Sequence, residues 1–245
     1  MYSTQRSPSP RPYGVTALGV ERVIQQAGVS KGTFFSHFGA KEDLFEEPPR
    51  NRRRCMTELR EATAHDAAGI RAIYAPVVEH TAISFEADVP SVGEIAARIG
   101  RVQSTTPWLV LDDQGVVEAY AYASPHRARE AYQWSVEVSA YVATTARRRG
   151  HARRLYTVLF ELLALQGFAM AFAGITLPNE ASVGLHASLG FERVGVYPNV
   201  GFKHGAWHDV GWWSRPLGPL PESPQPPRPL ADLRRDPRFG ALLTG

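Results

Sequence analysis

A short basic loop at residues 147–152 carries side chains that suit the binding of phosphate. It reads Arg-Arg-Arg-Gly-His-Ala and separates a predicted strand from a predicted helix. Apolar residues alternate along 134–142, which indicates the strand, and recur at helical spacing through 155–165, which indicates the helix. The first N–H groups of such a helix lack partners, so together with the helix dipole they attract phosphate oxygens. The spacing therefore predicts an anion site at the start of this helix.

The side chains of this loop fall into two groups. The successive arginines bring positive charge, whereas Gly150 and Ala152 are small enough for the backbone to approach a ligand closely. The residues that we expect at the phosphate site are Arg147, Arg148, Arg149, Gly150, His151 and Ala152. Runs of arginine and glycine also occur at solvated helix caps, which is the alternative interpretation of this stretch.

The preceding strand and the loop before it carry further candidates. Glu137 stands between two valines, so partial desolvation would favour it as a general base; an outward-facing strand glutamate is the alternative. Arg127, Arg129 and Tyr132 suit an anionic substrate, because a planar guanidinium pairs two-pronged with carboxylate or phosphinate. Surface loops also carry arginines for solubility. Phe85 lies in an apolar loop that suits a pocket wall, although an aromatic packed into the core fits equally well.

Length and composition allow one full α/β domain with a small appendage. The 245 residues have a formal net charge of +3, and the excess lies in local clusters. The net charge therefore does not indicate a nucleic-acid partner. The single cysteine, Cys55, excludes an internal disulfide and a cysteine-rich metal site, and is typical of a reducing cytoplasm. There is no signal peptide and no run of 18 apolar residues. We expect a soluble cytoplasmic protein with no metal and no membrane association.

The front of the chain differs in character from the rest. Residues 1–14 are rich in serine, proline and arginine and are predicted to be disordered. Residues 15–47 contain short amphipathic helices around a Gly-Val-Ser turn, which is the helix-turn-helix pattern. This stretch resembles the DNA-binding unit of TetR-type repressors. In that family the residues on or near DNA would be Ser30, Lys31, Thr33 and His37.

The repressor resemblance is incomplete. Pro8, Pro10 and Pro12 occupy the place of the first repressor helix, which they prevent. Without that helix the short unit buries too little apolar surface to be stable alone. We therefore interpret residues 15–47 as a small helical remnant and do not expect DNA binding. Residues 48–55 form a proline- and arginine-rich linker.

A second domain is predicted over residues 56–217, as an opening strand, two helices, a hairpin and then the strand, loop and helix described above. Asn179 is placed to cap a further short helix. Residues 218–245 follow as a proline-rich tail. Eight prolines from Pro216 onward predict that this tail is extended and unpacked.

Motifs in this domain resemble the GNAT acetyltransferases. Arg-x-x-Gly-x-Ala at 147–152 is similar to their acetyl-CoA pyrophosphate loop, and Asn-x-x-Ser-x-x-Leu-His-x-x-x-Gly-Phe at 179–191 is similar to their second conserved helix. Lys-His-Gly-Ala-Trp-His-Asp-Val at 203–210 is similar to the phosphinothricin and methionine-sulfoximine N-acetyltransferases of that family. The resemblance covers residues 56–217, essentially the whole domain.

The resemblance implies an α/β (α+β) GNAT acyl-CoA N-acyltransferase fold, with a mixed, mostly antiparallel sheet flanked by helices. It implies acetyl-CoA as co-substrate, no metal, and a homodimer. The acceptor would be the α-amino group of a small amino acid such as phosphinothricin or methionine sulfoximine. The alternatives are a TetR-like regulator whose second domain senses acetyl-CoA, and a GNAT enzyme acting on another amine.

The resemblance also implies residue roles. It puts the catalytic base at Glu137, while His186 either protonates the departing thiolate or only packs and orients the pantetheine. Asn179 would contact the pantetheine arm, and backbone N–H near Val142 would polarise the thioester carbonyl, because the strand is splayed there in GNAT enzymes. Arg148 stands where a glycine is usual, and either crowds the phosphates or adds a contact. The remaining expected contacts are Ala140 and Tyr141 for acetyl-CoA, and Phe85, Arg127, Arg129, Tyr132 and Ser139 for the substrate.

Overall fold

The computed structural model describes residues 57–244. The predicted helix-turn-helix at 15–47 and the linker at 48–55 lie outside the described residues. Within 57–244, seven strands form one mixed sheet, and helices pack on both of its faces. The predicted fold class, an α/β domain with a mostly antiparallel sheet, is confirmed.

The strands are β1 Glu58–Glu61, β2 Trp108–Asp113, β3 Val116–Pro125, β4 Ser135–Val142, β5 Met170–Thr176, β6 Glu192–Lys203 and β7 Ala206–Pro216. The helices are α1 Ala67–His80, α2 Val92–Val102, α3 His151–Gln166, α4 Glu180–Ser188, α5 Leu230–Leu233 and α6 Pro237–Thr244. No helix in the described part of the chain has the length and apolar composition needed to cross a membrane.

The strand order across the sheet is β1-β2-β3-β4-β5-β7-β6. All of these neighbours in residues 57–244 pair antiparallel except β4 and β5, which run parallel. A parallel pair needs a crossover connection, and α3 is the helix in that connection. The two strands at the centre of the sheet are therefore joined through the predicted phosphate loop.

Local sequence determines where several helices begin and end. Thr63 and Asp66 form a capping box, and Asn179 caps α4 as predicted by accepting a hydrogen bond from the N–H of Ser182 at 3.1 Å. α3 ends at Gly167, whose φ of 97° is a left-handed conformation that glycine adopts without strain. These residues fix where α4 begins and where α3 ends.

The apolar face of α3 packs directly on β4. Leu155 and Leu159 of the helix share a core with Val136 and Val138 of the strand. Successive side chains of a strand point to opposite faces, so burying these valines turns Glu137 to the other face. That second face is covered by α1 and α2. The predicted base therefore points away from α3.

The C-terminal residues are packed, so the prediction of an unpacked tail is wrong. Leu230 and Leu233 of α5 are fully buried, and Phe239 of α6 is nearly so, all in the same core as α3. The N–H of Arg228 donates to the carbonyl of Gln166 at 2.7 Å. Proline content describes residues 216–229 adequately, but the apolar spacing after them forms short helices that bury large side chains. Burying each such side chain contributes roughly 1.5–3 kcal/mol.

Candidate active site

The central feature of the site is a split between β4 and β5. The two strands pair over three residues, the last pair being Glu137 with Phe172, and then diverge. Beyond Glu137, β4 continues to Val142 and is paired on one side only, with β3. The predicted splay of this strand is confirmed. Its open edge exposes backbone groups to a ligand.

The hydrogen-bond alternation of β4 shows which groups are open. The N–H of Ala143 donates to the carbonyl of Glu118 on the β3 side at 2.8 Å. In an antiparallel pair every second residue points its N–H at the partner, so the N–H groups of Ala140 and Val142 point toward the split. These are the predicted acetyl-CoA contacts. The N–H of Tyr141 points at β3 instead, and its ring packs against Tyr120 with centroids 5.2 Å apart, so this predicted contact does not present an N–H to the split.

The phosphate loop leads into α3 with two left-handed residues. Gly150 is the N-cap with φ 82°, and Arg148 has φ 62°. An L-residue other than glycine costs roughly 1–2 kcal/mol in this conformation. The glycine usual at position 148 in the resembling family therefore has a conformational reason. Neither Arg147 nor Arg148 makes an ion pair within residues 57–244, which leaves both guanidinium groups available to a phosphate.

Two other loop residues are held by a carboxylate of β3. Arg149 Nη1 lies 3.0 Å from Oε1 of Glu118, and His151 Nε2 lies 2.9 Å from its Oε2. The second contact is a close approach without hydrogen-bond alignment, because neither atom has a hydrogen-bond partner in the described residues. His151 is buried, so only its backbone N–H can face a ligand. Glu118 thus fixes the loop from inside.

A cleft between the diverging strands brings several predicted residues together. Ser139 and Ala140 form one wall and Gly174 forms the opposite wall, while Asn179 and His186 close its end. Tyr156 of α3 also lines the cleft, although no motif indicates it. Burial raises the pKa of Tyr156 far above its ordinary value, so its hydroxyl stays protonated. A protonated hydroxyl here is a hydrogen-bond donor.

The ring of His186 is packed and uncharged. Burial lowers its pKa, and its ring meets Tyr156 and Phe191 edge-on with centroids 5.4 and 5.0 Å away. Nδ1 donates to the carbonyl of Ser182 at 2.8 Å, because a carbonyl can only accept. Nε2 is then an unprotonated acceptor, buried and without a partner in the described residues. This geometry favours the packing and orienting role over proton donation.

At the other end of β4, Glu137 has polar rather than apolar neighbours. His126 Nδ1 lies 3.0 Å from Oε1 of Glu137, and Arg127 Nη1 lies 3.9 Å from the same oxygen. The Glu137 side chain is 32% exposed. The flanking valines are not the source of this partial burial, because they face α3. Arg127 was expected in the site, whereas His126 was not indicated by any motif.

The residues of the predicted substrate-binding loop line a cavity whose wall does not include Glu137. Arg127, Arg129 and Tyr132 line a cavity of about 390 Å³, and Pro227 and Arg228 of the C-terminal segment complete its wall. The Arg127 guanidinium also lies over the Trp212 ring, 5.8 Å from its centroid. The three predicted loop residues are therefore brought together, with one of them at the candidate base.

Phe85 does not line the cleft; it packs against the β6–β7 hairpin. Its ring packs over Gly201, where a Cβ would overlap it, and 6.2 Å from the His208 ring. Lys203 of the hairpin ties the same loop down by donating to the carbonyls of Val78 and Ser84, each at 2.7 Å. The neighbouring loop residue that lines the cleft is Ile83. Residues 57–244 hold no cluster of His, Cys, Asp and Glu suited to a metal ion.

Comparison with known proteins agrees with this geometry. A family model described as an acetyltransferase (GNAT) domain matches residues 59–212. The chain belongs to the GNAT acetyltransferases. As a GNAT acetyltransferase it is an acetyl-CoA-dependent N-acyltransferase, and the open N–H groups of β4 and the start of α3 fit that co-substrate. A second model, for bacterial regulatory proteins of the tetR family, matches residues 13–47 and confirms the resemblance at the front of the chain.

Relatives of this GNAT acetyltransferase include a phosphinothricin N-acetyltransferase of Streptomyces viridochromogenes, 40% identical over 72% of this chain and 96% of the relative. An L-methionine sulfoximine/L-methionine sulfone acetyltransferase of Pseudomonas paraeruginosa is 36% identical over 68% of this chain and 98% of the relative. The crystal structure of a phosphinothricin acetyltransferase from Sinorhizobium meliloti in complex with acetyl-CoA has a TM-score of 0.66 and 35% identity. The matched region covers 71% of this chain and 98% of the Sinorhizobium meliloti chain.

Proposed function

We propose that the enzyme acetylates the α-amino group of a small amino acid such as phosphinothricin or methionine sulfoximine. The observation that carries the proposal is the pairing of Glu137 with Arg127, 3.9 Å apart where β4 and β5 begin to diverge. A carboxylate that can take a proton lies beside a guanidinium that can pair with the acid group of the substrate. The named activities of the relatives at 36–40% identity support the same substrate class.

The residues divide the work between the two substrates. Bound acetyl-CoA supplies the activated acetyl group. Glu137 removes a proton from the amine, which is mostly protonated near neutral pH. The N–H groups of Ala140 and Val142 donate hydrogen bonds into the split, where negative charge would develop on an acyl oxygen. Tyr156 donates from the cleft wall, and His186 orients the groups around it.

The loop geometry supports the predicted phosphate contacts. The N–H groups after Gly150 face outward at the positive end of the α3 dipole. The guanidinium groups of Arg147 and Arg148 would pair with the phosphates, whereas Arg149 and His151 contact Glu118 and hold the loop in place. Ala152 keeps the first turn of α3 narrow. Asn179 and Ser139 line the cleft between the diverging strands, where Asn179 would contact the pantetheine arm and Ser139 the substrate.

We also propose a homodimer in the cytoplasm. The β6–β7 hairpin exposes Val200, Phe202 and Trp207, each with more than half of its surface accessible. β6 is at the edge of the sheet in the described region, with a free row of backbone groups. A second copy of this chain would cover both features. Sedimentation of Trp207→Glu against the wild type tests this, and an unchanged sedimentation coefficient would contradict it.

The division at residues 48–55 is proposed as a domain boundary. We interpret residues 15–47 as a repressor remnant and residues 56–217 as the enzyme, with 218–245 as its C-terminal extension. Deleting residues 1–54 should leave kcat/KM nearly unchanged, and a large fall would show that the front contributes to catalysis. A DNA shift assay on the full chain, with and without acetyl-CoA, tests the regulator alternative, which a specific acetyl-CoA-dependent shift would support.

A substrate panel assayed by thiol release from acetyl-CoA tests the main proposal. The panel pairs phosphinothricin, methionine sulfoximine and methionine sulfone with amines of the same size that lack the carboxylate. We expect kcat/KM to be at least about 10-fold higher for the amino acids, since a charge-assisted pair contributes roughly 1.5–3 kcal/mol. Equal turnover of amines that lack the acid group would contradict the proposal.

A further inference from the structure

We propose that His126 is a positioning residue for the catalytic base. It holds one oxygen of Glu137 so that the other oxygen is free to take the proton of the amine. The inference rests on the proposed function, because it assigns a partner to the base of that reaction. The loop that carries His126 also carries Arg127, so one loop supplies the contacts to both the base and the acid group.

The two oxygens of Glu137 have different surroundings. His126 Nδ1 and Arg127 Nη1 both approach Oε1, at 3.0 and 3.9 Å. An ionised carboxylate can only accept, so Nδ1 of His126 carries the proton of this hydrogen bond and donates it. No group within residues 57–244 hydrogen-bonds to Oε2. The oxygen that remains available to an incoming ammonium group is therefore Oε2.

The ring of His126 is itself held in place by aromatic side chains. It stacks on Phe172 with centroids 4.3 Å apart and planes 13° apart, and it meets Tyr132 and Trp212 at 70° and 78°. Its backbone N–H donates to the carbonyl of Ser135 at 3.3 Å. The His126 side chain is 12% exposed. A donor immobilised before the substrate binds loses little further freedom in holding the carboxylate.

This contact orients Glu137 and does not transfer the histidine proton. When the base acts, an N–H bond of the ammonium breaks and an O–H bond forms on Oε2 of Glu137. The proton on Nδ1 of His126 stays where it is, so the charge of the ring does not change. Displacing a reacting group by about 1 Å can reduce a rate roughly 100-fold. Loss of the anchor should therefore lower kcat more than it alters substrate affinity.

Two substitutions separate the hydrogen bond from the ring. His126→Phe keeps a ring to stack on Phe172 but has no donor, whereas His126→Asn places an amide N–H₂ close to the position of Nδ1. We expect His126→Phe to lower kcat roughly 10-fold with the KM of acetyl-CoA unchanged, and His126→Asn to stay within about 3-fold of the wild type. Thermal unfolding establishes that both variants are folded. If His126→Asn is as slow as His126→Phe, the donor is not what matters and the inference fails.

A double-mutant cycle shows whether His126 acts through Glu137. In the Glu137→Gln background, His126→Phe should lower the residual kcat by less than about 2-fold, because the group that it positions has been removed. A 10-fold loss in both backgrounds would mean that His126 acts independently of Glu137, and would overturn the inference.

A second measurement is independent of turnover. In ¹⁵N spectra at about pH 8.5, where imidazole is neutral, the proton of His126 should reside on Nδ1 in the wild type and lose that preference in Glu137→Gln. The signal is assigned by its absence in His126→Phe. A proton on Nε2 in the wild type overturns the inference even if the amino-acid panel is turned over. Failure of the whole panel, with the proton on Nδ1, would instead overturn the proposed function.

Discussion

The two halves of the proposed active site, at the two ends of β4, offer different kinds of group to their ligands. At the C-terminal end, the groups offered to a ligand are backbone N–H groups, those of Ala140 and Val142 and those after Gly150. At the N-terminal end they are side chains, with Glu137 between His126 and Arg127. One half thus depends on backbone conformation and the other on individual functional groups.

This difference predicts which positions should tolerate substitution. Arg148 occupies a left-handed position at φ 62° that glycine would fill more easily, and α3 still begins directly after Gly150. A comparable change of Glu137 would remove the proton acceptor itself. Substitutions in the backbone half should therefore have small, graded effects on acetyl-CoA binding. Substitutions in the side-chain half should have large effects on the chemical step or on the amino acid.

The largest expected effect is at Glu137. Glu137→Gln keeps the size and much of the hydrogen bonding but cannot accept a proton, so kcat should fall roughly 10²–10⁴-fold at neutral pH. The Kd of acetyl-CoA should not change. The matched control is Glu118→Gln, which removes a carboxylate at the other half and should alter the KM of acetyl-CoA while leaving kcat almost intact. Similar kcat losses in the two variants would remove the distinction between the halves.

The next effect in size concerns the acid group of the substrate. Arg127→Ala should lower kcat/KM for the amino acid by roughly 10- to 100-fold, because a charge-assisted pair of about 1.5–3 kcal/mol is lost. Arg129→Ala should act in the same direction. Arg235→Ala, at an exposed guanidinium paired with Asp232, is the control and should have no effect. If Arg127→Ala reduces turnover of an amine without a carboxylate equally, the anion site is wrong.

A smaller effect is expected at Gly150. Its φ of 82° strains any L-residue, although a Cβ there would meet no other atom within 4 Å. Gly150→Ala should therefore lower the free energy of unfolding by roughly 1–2 kcal/mol through backbone strain alone. A shift in the loop should raise the KM of acetyl-CoA with little change in kcat. Chemical denaturation and steady-state kinetics measure both, and an unchanged free energy of unfolding would contradict the strain.

The smallest effect is expected at Arg148, where the substitution should stabilise the protein. Arg148→Gly removes the left-handed strain and should raise the free energy of unfolding by about 1 kcal/mol. The KM of acetyl-CoA should change by less than about 3-fold if the backbone supplies most of the phosphate contacts. A loss of 10-fold or more would show that the Arg148 guanidinium binds the phosphates directly.

The backbone half was predictable because its determinants are local. A strand, a glycine turn and a helix start lie within residues 134–152, and the caps at Asn179 and Gly167 are read from single residues. The splay of β4 from β5 was expected only through the family resemblance. Its structural counterpart is a pairing that ends at Glu137 and Phe172.

The side-chain half was only partly predictable, because its contacts join distant parts of the chain. His126 is held by Phe172 and Trp212, which come from β5 and β7, and no local spacing indicates that arrangement. The C-terminal wall was missed for a related reason. Proline content concealed the apolar residues Leu230 and Leu233, whose burial depends on the distant helix α3.

The most direct test of the central claim is the ratio of wild-type to Glu137→Gln kcat measured from about pH 6 to pH 10. A base that deprotonates the amine matters most where the amine is protonated, and free α-amines lose that proton at alkaline pH. We predict a ratio that is large at neutral pH and falls steadily as the pH rises, because the variant recovers rate without help. A ratio near one at neutral pH in a folded variant, or a large ratio independent of pH, would contradict the assignment of Glu137 as the base.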